Sequence, residues 1–208
     1  MLPGSTLLLA VCVQSDFWPG GAWPLVDSAT ADTIAELCAL GTTLSARQGG
    51  VCCRHHTGAA ADPGAGPPHC RAGTAGERCA PGCLPAAPVL LVDPDATSTW
   101  TRDRSHALYV ASGCVADVDA TPNGRAAFDH LTAGIRDAVV FGAGVEYGIA
   151  RAVDALLRRR VRTHLVLDAA AVADPAKAQR VVALWKRRAV DALTMATTAR
   201  LLGRGAQP

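Results

Sequence analysis

The chain has 208 residues, of which 50% are hydrophobic, 18% charged and only 4% aromatic, with a formal net charge of +2. That apolar content excludes intrinsic disorder, and near-neutrality gives no electrostatic reason to expect a nucleic-acid partner. No apolar stretch approaches the ~20 residues needed to span a bilayer; the short run Leu7–Val13 lacks a positive segment before it, so no secretion signal or membrane anchor is expected.

Along the chain, short apolar runs alternate with amphipathic segments. Thr6–Val13 has the continuous apolar pattern of a strand buried on both faces. Ser28–Leu40 follows as a helix, with Ile34, Leu37 and Cys38 on one face and Gly41 as a stop. Gly50–Cys53 is a strand candidate, and 57–88 is a long loop rich in Gly, Pro and Ala, of the kind that usually serves function. Val89–Val92 and Ala107–Ala111 are strands, and a helix over Ala126–Gly134 leads into the strand Ala138–Phe141. Glu146–Arg160 is a helix with Ile149, Val153, Leu156 and Leu157 on one side. His164–Leu167 is a strand, and Asp174 caps a helix with Pro175 at its first position and Ala178, Val181, Val182 and Trp185 as its buried stripe. Asp191–Met195 is a last strand. Strands alternating with helices of this length predict one α/β domain over 1–208, three layers α/β/α around a mostly parallel sheet.

Eight cysteines stand at 12, 38, 52, 53, 70, 79, 83 and 114. The cluster Cys52, Cys53, His55, His56, His69, Cys70, Cys79 and Cys83 has ligand types that suit zinc. A Cys-Cys pair and a Cys-x3-Cys spacing match no closed structural site, so the expectation is no cofactor, with zinc as the alternative. The basic runs Arg158–Arg160 and Lys186–Arg188 end helices and read as solvated cations facing the C-terminal dipole.

Three segments in order carry a resemblance. LLAVCVQSDFWPGGAWPL (8–25) is similar to an opening "VDVQNDF…GG.L", GPPHCRAGTAGE (66–77) to a loop "WPPHC..GT.GAE", and VFGAGVEYGIARAVDALLRRRVRTHLVLDAA (140–170) to "V.G.ATDYCV..TA.DA...GY.V.V..DA". Together they resemble the nicotinamidase/isochorismatase-like cysteine hydrolases over essentially the whole chain. The resemblance implies a catalytic Asp, Lys and Cys, in which a thiol at a helix start attacks an amide carbon while the Asp moves the proton. Carried over residue by residue, those positions hold Cys12, Ser112 and Gly148. The metal pattern "DWHP..H" of the nicotinamidase branch falls on Arg54, His56 and Ala60, which offer no metal site. The resemblance also implies a cis peptide at Gly144–Val145, and places Phe17, Trp18, Gly144, Val145 and Tyr147 around the residual pocket.

The reading is therefore a homologue of these hydrolases that has lost catalysis and acts as a structural, interaction or regulatory subunit. A homo-oligomer or a protein partner is expected, a small-molecule ligand in the residual pocket is compatible with it, and the compartment is expected to be cytoplasmic or otherwise intracellular. The alternative is a hydrolase of C–N bonds in small amides, with a displaced nucleophile such as Cys12 or Cys114.

Overall fold

Strands begin where apolar residues run without interruption. In the computed structural model, which describes residues 3–56, 66–85, 87–93, 106–112 and 117–204, Thr6–Val11 forms β1 with every side chain buried. Arg47–Cys53 (β2), Val89–Val92 (β3), Ala107–Ser112 (β4), Asp137–Ala143 (β5), Arg162–Ala171 (β6) and Asp191–Leu193 (β7) complete a seven-stranded sheet. Its order is β3-β4-β2-β1-β5-β6-β7, and every pairing is parallel. A parallel sheet needs cover on both faces. Ser28–Thr43 (α1) and Met195–Arg204 (α5) pack together on one face; Pro122–Thr132 (α2), Ala150–Arg158 (α3) and Pro175–Lys186 (α4) cover the other. No helix among the described residues is long and apolar enough to cross a membrane.

Local chemistry sets the helix starts. Asp27 caps α1 through Thr30 N at 2.8 Å, Thr121 caps α2 ahead of Pro122, and Asp174 caps α4 through Lys177 N at 3.0 Å. Four expectations shift. α1 runs through Gly41, because that glycine seats the helix on β1 and β2; a Cβ there would lie 2.9 Å from both Leu8 Cδ2 and Gln48 Nε2. The helix expected at Ala126 begins at Pro122, where proline occupies the first turn and needs no N–H partner. The helix expected from Glu146 opens as a π turn, Val145–Ile149, before α3. The helix α5 follows a last strand that ends at Leu193, two residues earlier than expected.

Two features bring strand ends together at the C-terminal edge of the sheet. Val11 of β1 pairs with Val51 of β2 on one side and Gly142 of β5 on the other. Gly142 adopts φ +130°, and a Cβ there would stand 1.9 Å from Val11 O, so only glycine permits this close approach. Directly after β1 the chain turns at Cys12, a non-glycine residue at φ 52°. Gly144, at φ 78°, makes the corresponding turn after β5. The Gly144–Val145 peptide is trans; the left-handed glycine supplies the turn for which a cis bond was expected.

Candidate functional site

The C-terminal ends of β1, β2, β4 and β5 and the π turn converge, as ligand-binding edges of α/β sheets do. Cys12 and Gly148 meet directly: a Cβ on Gly148 would lie 3.0 Å from Cys12 Sγ and 3.1 Å from Val11 Cγ1. Ser112 ends β4 at the same edge, paired with Cys53, and its carbonyl accepts from Arg54 N at 3.0 Å. The three positions implied by the resemblance thus belong to one edge, with Cys12 and Gly148 in contact range. Cys114 and Ala60 lie outside the described residues. The π turn is fixed by Glu146, whose Oε1 accepts from Ala173 N and Asp174 N ahead of α4. Two amides of the turn, Tyr147 N and Ile149 N, are already bonded to Gly144 O, so they are not available to an anion.

A second constellation stands beside this edge. Cys53 Sγ lies 2.9 Å from His55 Nε2 and 3.5 Å from His69 Nε2, and the three ligand atoms all fall within 4.8 Å of one another. Cys53 and His69 are buried and His55 half-buried. His69 Nδ1 donates to Pro67 O at 2.7 Å; this bond places the proton on Nδ1 and leaves the Nε2 lone pair directed toward Cys53. The metal register expected on Arg54, His56 and Ala60 is therefore displaced. Residues i and i+2 of an extended segment share a face, so Cys53 and His55 point together while Arg54 turns away to Glu77 (3.0 Å) and Asp93 (3.7 Å). His56 is exposed. The third ligand comes from the 66–77 loop. A thiol and two imidazoles, one held by a carbonyl behind it, fit a transition-metal ion.

Gln14 and Asp16 of the first motif place these side chains. Gln14 grips Cys53 at both backbone atoms, accepting from its N–H at 2.7 Å and donating to its carbonyl at 2.7 Å, and also donates to Glu77 O at 2.8 Å. Asp16 accepts from Cys70 N at 2.6 Å and from Ala22 N at 3.2 Å. Gly76 makes room for that carboxylate, since a Cβ there would lie 2.1 Å from it. The neighbour of Cys70, His69, is thereby held against β2, and His55 bonds the same loop through Cys70 O (3.1 Å) and Ala72 N (2.9 Å).

Aromatic rings enclose the cluster. Phe17, buried, stacks its ring 5.1 Å from His69 and 5.9 Å from Trp23. Trp23 lies 4.9 Å from His69 and 6.2 Å from Tyr147, and Lys177 sits over the Tyr147 ring at 5.7 Å. A hydrogen bond that the Lys177 amine donates to Tyr147, followed by the charges of Tyr147 and Asp174, holds that amine above its ordinary range. The wall thus combines expected Phe17 and Tyr147 with Trp23, which the sequence pattern did not single out. Trp18 packs against the core and has no ring partner among the described residues.

The remaining described cysteines are free thiols. Cys52 faces away from the cluster into a cavity of about 570 Å³ that includes Cys79, Tyr109, Leu84 and Leu91 in its lining. Burial, followed by the neighbouring Cys12, pushes the Cys52 thiol up; burial and Cys83 push Cys79 up to about 12. Cys38 of α1 is hydrogen-bonded to Cys83, which together with burial holds it protonated. Cys70 is buried, its thiol 3.8 Å from Gly76 O.

No protein-family sequence model matches the chain, and no curated protein sequence matches it. Solved structures do. An isochorismatase-family protein from Desulfovibrio vulgaris aligns at TM-score 0.70 and 19% identity, covering 97% of this chain and 100% of its own. A nicotinamidase/pyrazinamidase from Acinetobacter baumanii aligns at TM-score 0.68 and 17% identity, covering 95% and 100%. A pyrazinamidase of Pyrococcus horikoshii in complex with zinc aligns at TM-score 0.65 and 19% identity, covering 91% and 99%. These likenesses define the fold: a three-layer α/β/α sandwich of the isochorismatase-like class. Within that class it is the nicotinamidases and isochorismatase-family hydrolases whose architecture this chain has.

Proposed function

We propose that the protein is a non-catalytic relative of these hydrolases, a binding or regulatory subunit that holds a small planar ligand beside a metal ion. The observation that carries this reading is the meeting of Cys12 and Gly148: where the motif resemblance implies a carboxylate and a thiol, this chain has a thiol facing bare backbone. Catalytic groups that act as a unit lose most of their rate enhancement together. Binding parts, in contrast, persist. Cys53, His55 and His69 would hold the ion, which when bound supplies a Lewis-acidic position for a lone pair of the ligand. Trp23 and Tyr147 offer flat faces for stacking, and buried Phe17 keeps Trp23 and His69 in place. A reducing, intracellular compartment is consistent with the free thiols of Cys53 and its neighbours. An interaction role is supported by Leu84, Val89 and Leu91, exposed together along the cavity beside β3.

The test is direct. Purified protein loaded with zinc is expected to release no ammonia from nicotinamide beyond the rate of its Cys12→Ala variant, yet to bind nicotinamide or nicotinate with Trp23-dependent fluorescence quenching. Thiol-dependent turnover would overturn the reading.

One observation favours a second reading. The sulfur of Cys12 fills the volume into which a side chain at 148 would project, so the thiol has in effect moved from the start of α3 to the end of β1. In a displaced-nucleophile hydrolase, Cys12 sulfur forms a bond to the amide carbon, the C–N bond breaks, and the thiol proton leaves with ammonia; water then cleaves the thioester and restores the thiol. That reading requires iodoacetamide to label Cys12 in the folded protein and an acylated Cys12 peptide to accumulate with substrate.

A further inference from the structure

We infer that Cys53 is a thiolate ligand that makes the Cys53–His55–His69 site thiophilic, selecting zinc or cobalt(II) over manganese(II) and magnesium. The inference rests on the metal reading above and adds the ligand atom that decides which metal enters. The strand end presents that atom: Gln14 holds the Cys53 N–H and carbonyl at 2.7 Å each, which fixes the face of the strand that Cys53 occupies, and its Sγ lies 2.9 Å from His55 Nε2 and 3.5 Å from His69 Nε2.

The donor spacing supports it. With Zn–S near 2.3 Å and Zn–N of 2.0–2.1 Å, tetrahedral ligation places sulfur and nitrogen about 3.5 Å apart. The Cys53 Sγ to His69 Nε2 separation is 3.5 Å. The His55 separation of 2.9 Å is shorter, and His55 is half-buried at the end of β2. For His69, the Nδ1 bond to Pro67 O and the ring contacts with Phe17, Trp23 and His55 fix the plane.

Charge and softness point the same way. A carboxylate in this position would leave the site open to hard, oxygen-preferring cations, whereas one thiolate and two imidazoles favour zinc and cobalt over manganese and magnesium. Arg54, the nearest cation in sequence, is committed to Glu77 and Asp93 on the other face. Three protein ligands would leave one position of a tetrahedral ion for an exchangeable group.

The experiment uses the full chain stripped with a chelator and titrated with Zn²⁺, Co²⁺, Mn²⁺ and Mg²⁺ by calorimetry, and by absorbance for cobalt. Zinc and cobalt are expected to bind one per chain, at least about 100-fold tighter than manganese, and cobalt to give a near-ultraviolet thiolate charge-transfer band. Cys53→Ser should remove that band while the other thiols remain, and Cys53→Asp should narrow the zinc-to-manganese preference at least about tenfold. Circular dichroism identifies a variant that fails to fold, and His69→Gln then serves as the second loss-of-ligand test. Binding of all four ions with similar affinity and no charge-transfer band would overturn the thiolate assignment while leaving a metal site in place. No ion bound at all would overturn both this inference and the metal reading. A band that survives in Cys53→Ser would assign the metal to other cysteines and also overturn it.

Discussion

Two clusters of charged or ligating side chains occupy this molecule, and their construction differs. Around the end of α3, Arg158 meets Asp117 and Asp119 at 2.7 Å, and Arg159 meets Asp119 at 2.6 Å and Asp129 at 2.7 Å. Both of these arginines have carboxylates, and the array ties α3 to α2 and the segment before it. At the sheet edge, Cys53, His55 and His69 bring three electron-pair donors toward one another. Gathering like donors costs free energy that a shared cation offsets, whereas gathering opposite charges offsets its own desolvation in part. The first cluster is satisfied by its own charges; the second is the candidate for a shared ion.

That difference can be broken from either side. The largest effect is expected at Asp119, whose removal leaves two arginines half-compensated: Asp119→Ala should lower unfolding free energy by about 2 kcal/mol, measured by denaturant titration, and leave metal affinity unchanged. Zinc should have the mirror-image profile, stabilising the native state by about 1.4 kcal/mol at a tenfold excess over its Kd, an increment that His69→Ala removes and Asp119→Ala retains. Gln14→Leu should weaken both properties, by about 1–2 kcal/mol of stability and about tenfold in zinc affinity, because it frees both backbone groups of Cys53. An unchanged affinity would show that the strand alone holds the ligand.

The smallest effect concerns pH. Burial of Asp119 opposes its ionisation, but hydrogen bonds and charge from Arg159 and Arg158 outweigh that, and its carboxyl lies below the ordinary range. A depressed folded-state pKa contributes stability above the unfolded value near 3.9 and loses it as pH falls through the lower folded value. Between pH 5 and 3 the wild type should therefore lose stability that Asp119→Asn, already without it, does not lose. Parallel acid titrations of the two proteins would show otherwise if the curves coincide.

The sequence carried the sheet well where burial is complete. β1 and the Ala138–Phe141 stretch of β5 have uninterrupted apolar runs because helices cover both faces, and Asp174–Pro175 announces α4 by cap chemistry alone. It carried α5 poorly: Met195–Arg204 contains two threonines and a glycine, and is held as a helix by burial of Met195, Thr198 and Leu202. At the site, Gln14 and Asp16 were visible as motif residues, but their partners are 39 and 54 positions away, beyond any local pattern. The available signal was parity. Cys53 and His55 are two apart on an extended segment and must share a face, which the alignment to Arg54 and His56 overlooked. Basic Arg158 and Arg159, read as solvated, are paired because their acids lie in the distant 117–129 segment.

The alternation of β2 has a consequence for how faithfully the chain must fold. Cys52, Cys53 and Arg54 point in turn to the cavity, the imidazoles and the acidic pair with Glu77. A slip of one residue between β1 and β2 would present a guanidinium or the wrong sulfur to the two histidines, and would turn every other side chain of the strand to the opposite face of the sheet as well. Gln14 guards against that slip, since its amide reads both the N–H and the carbonyl of a single residue across the strand boundary. The identity of the ligand set is thus stored as a strand register, and one glutamine acts as its index mark.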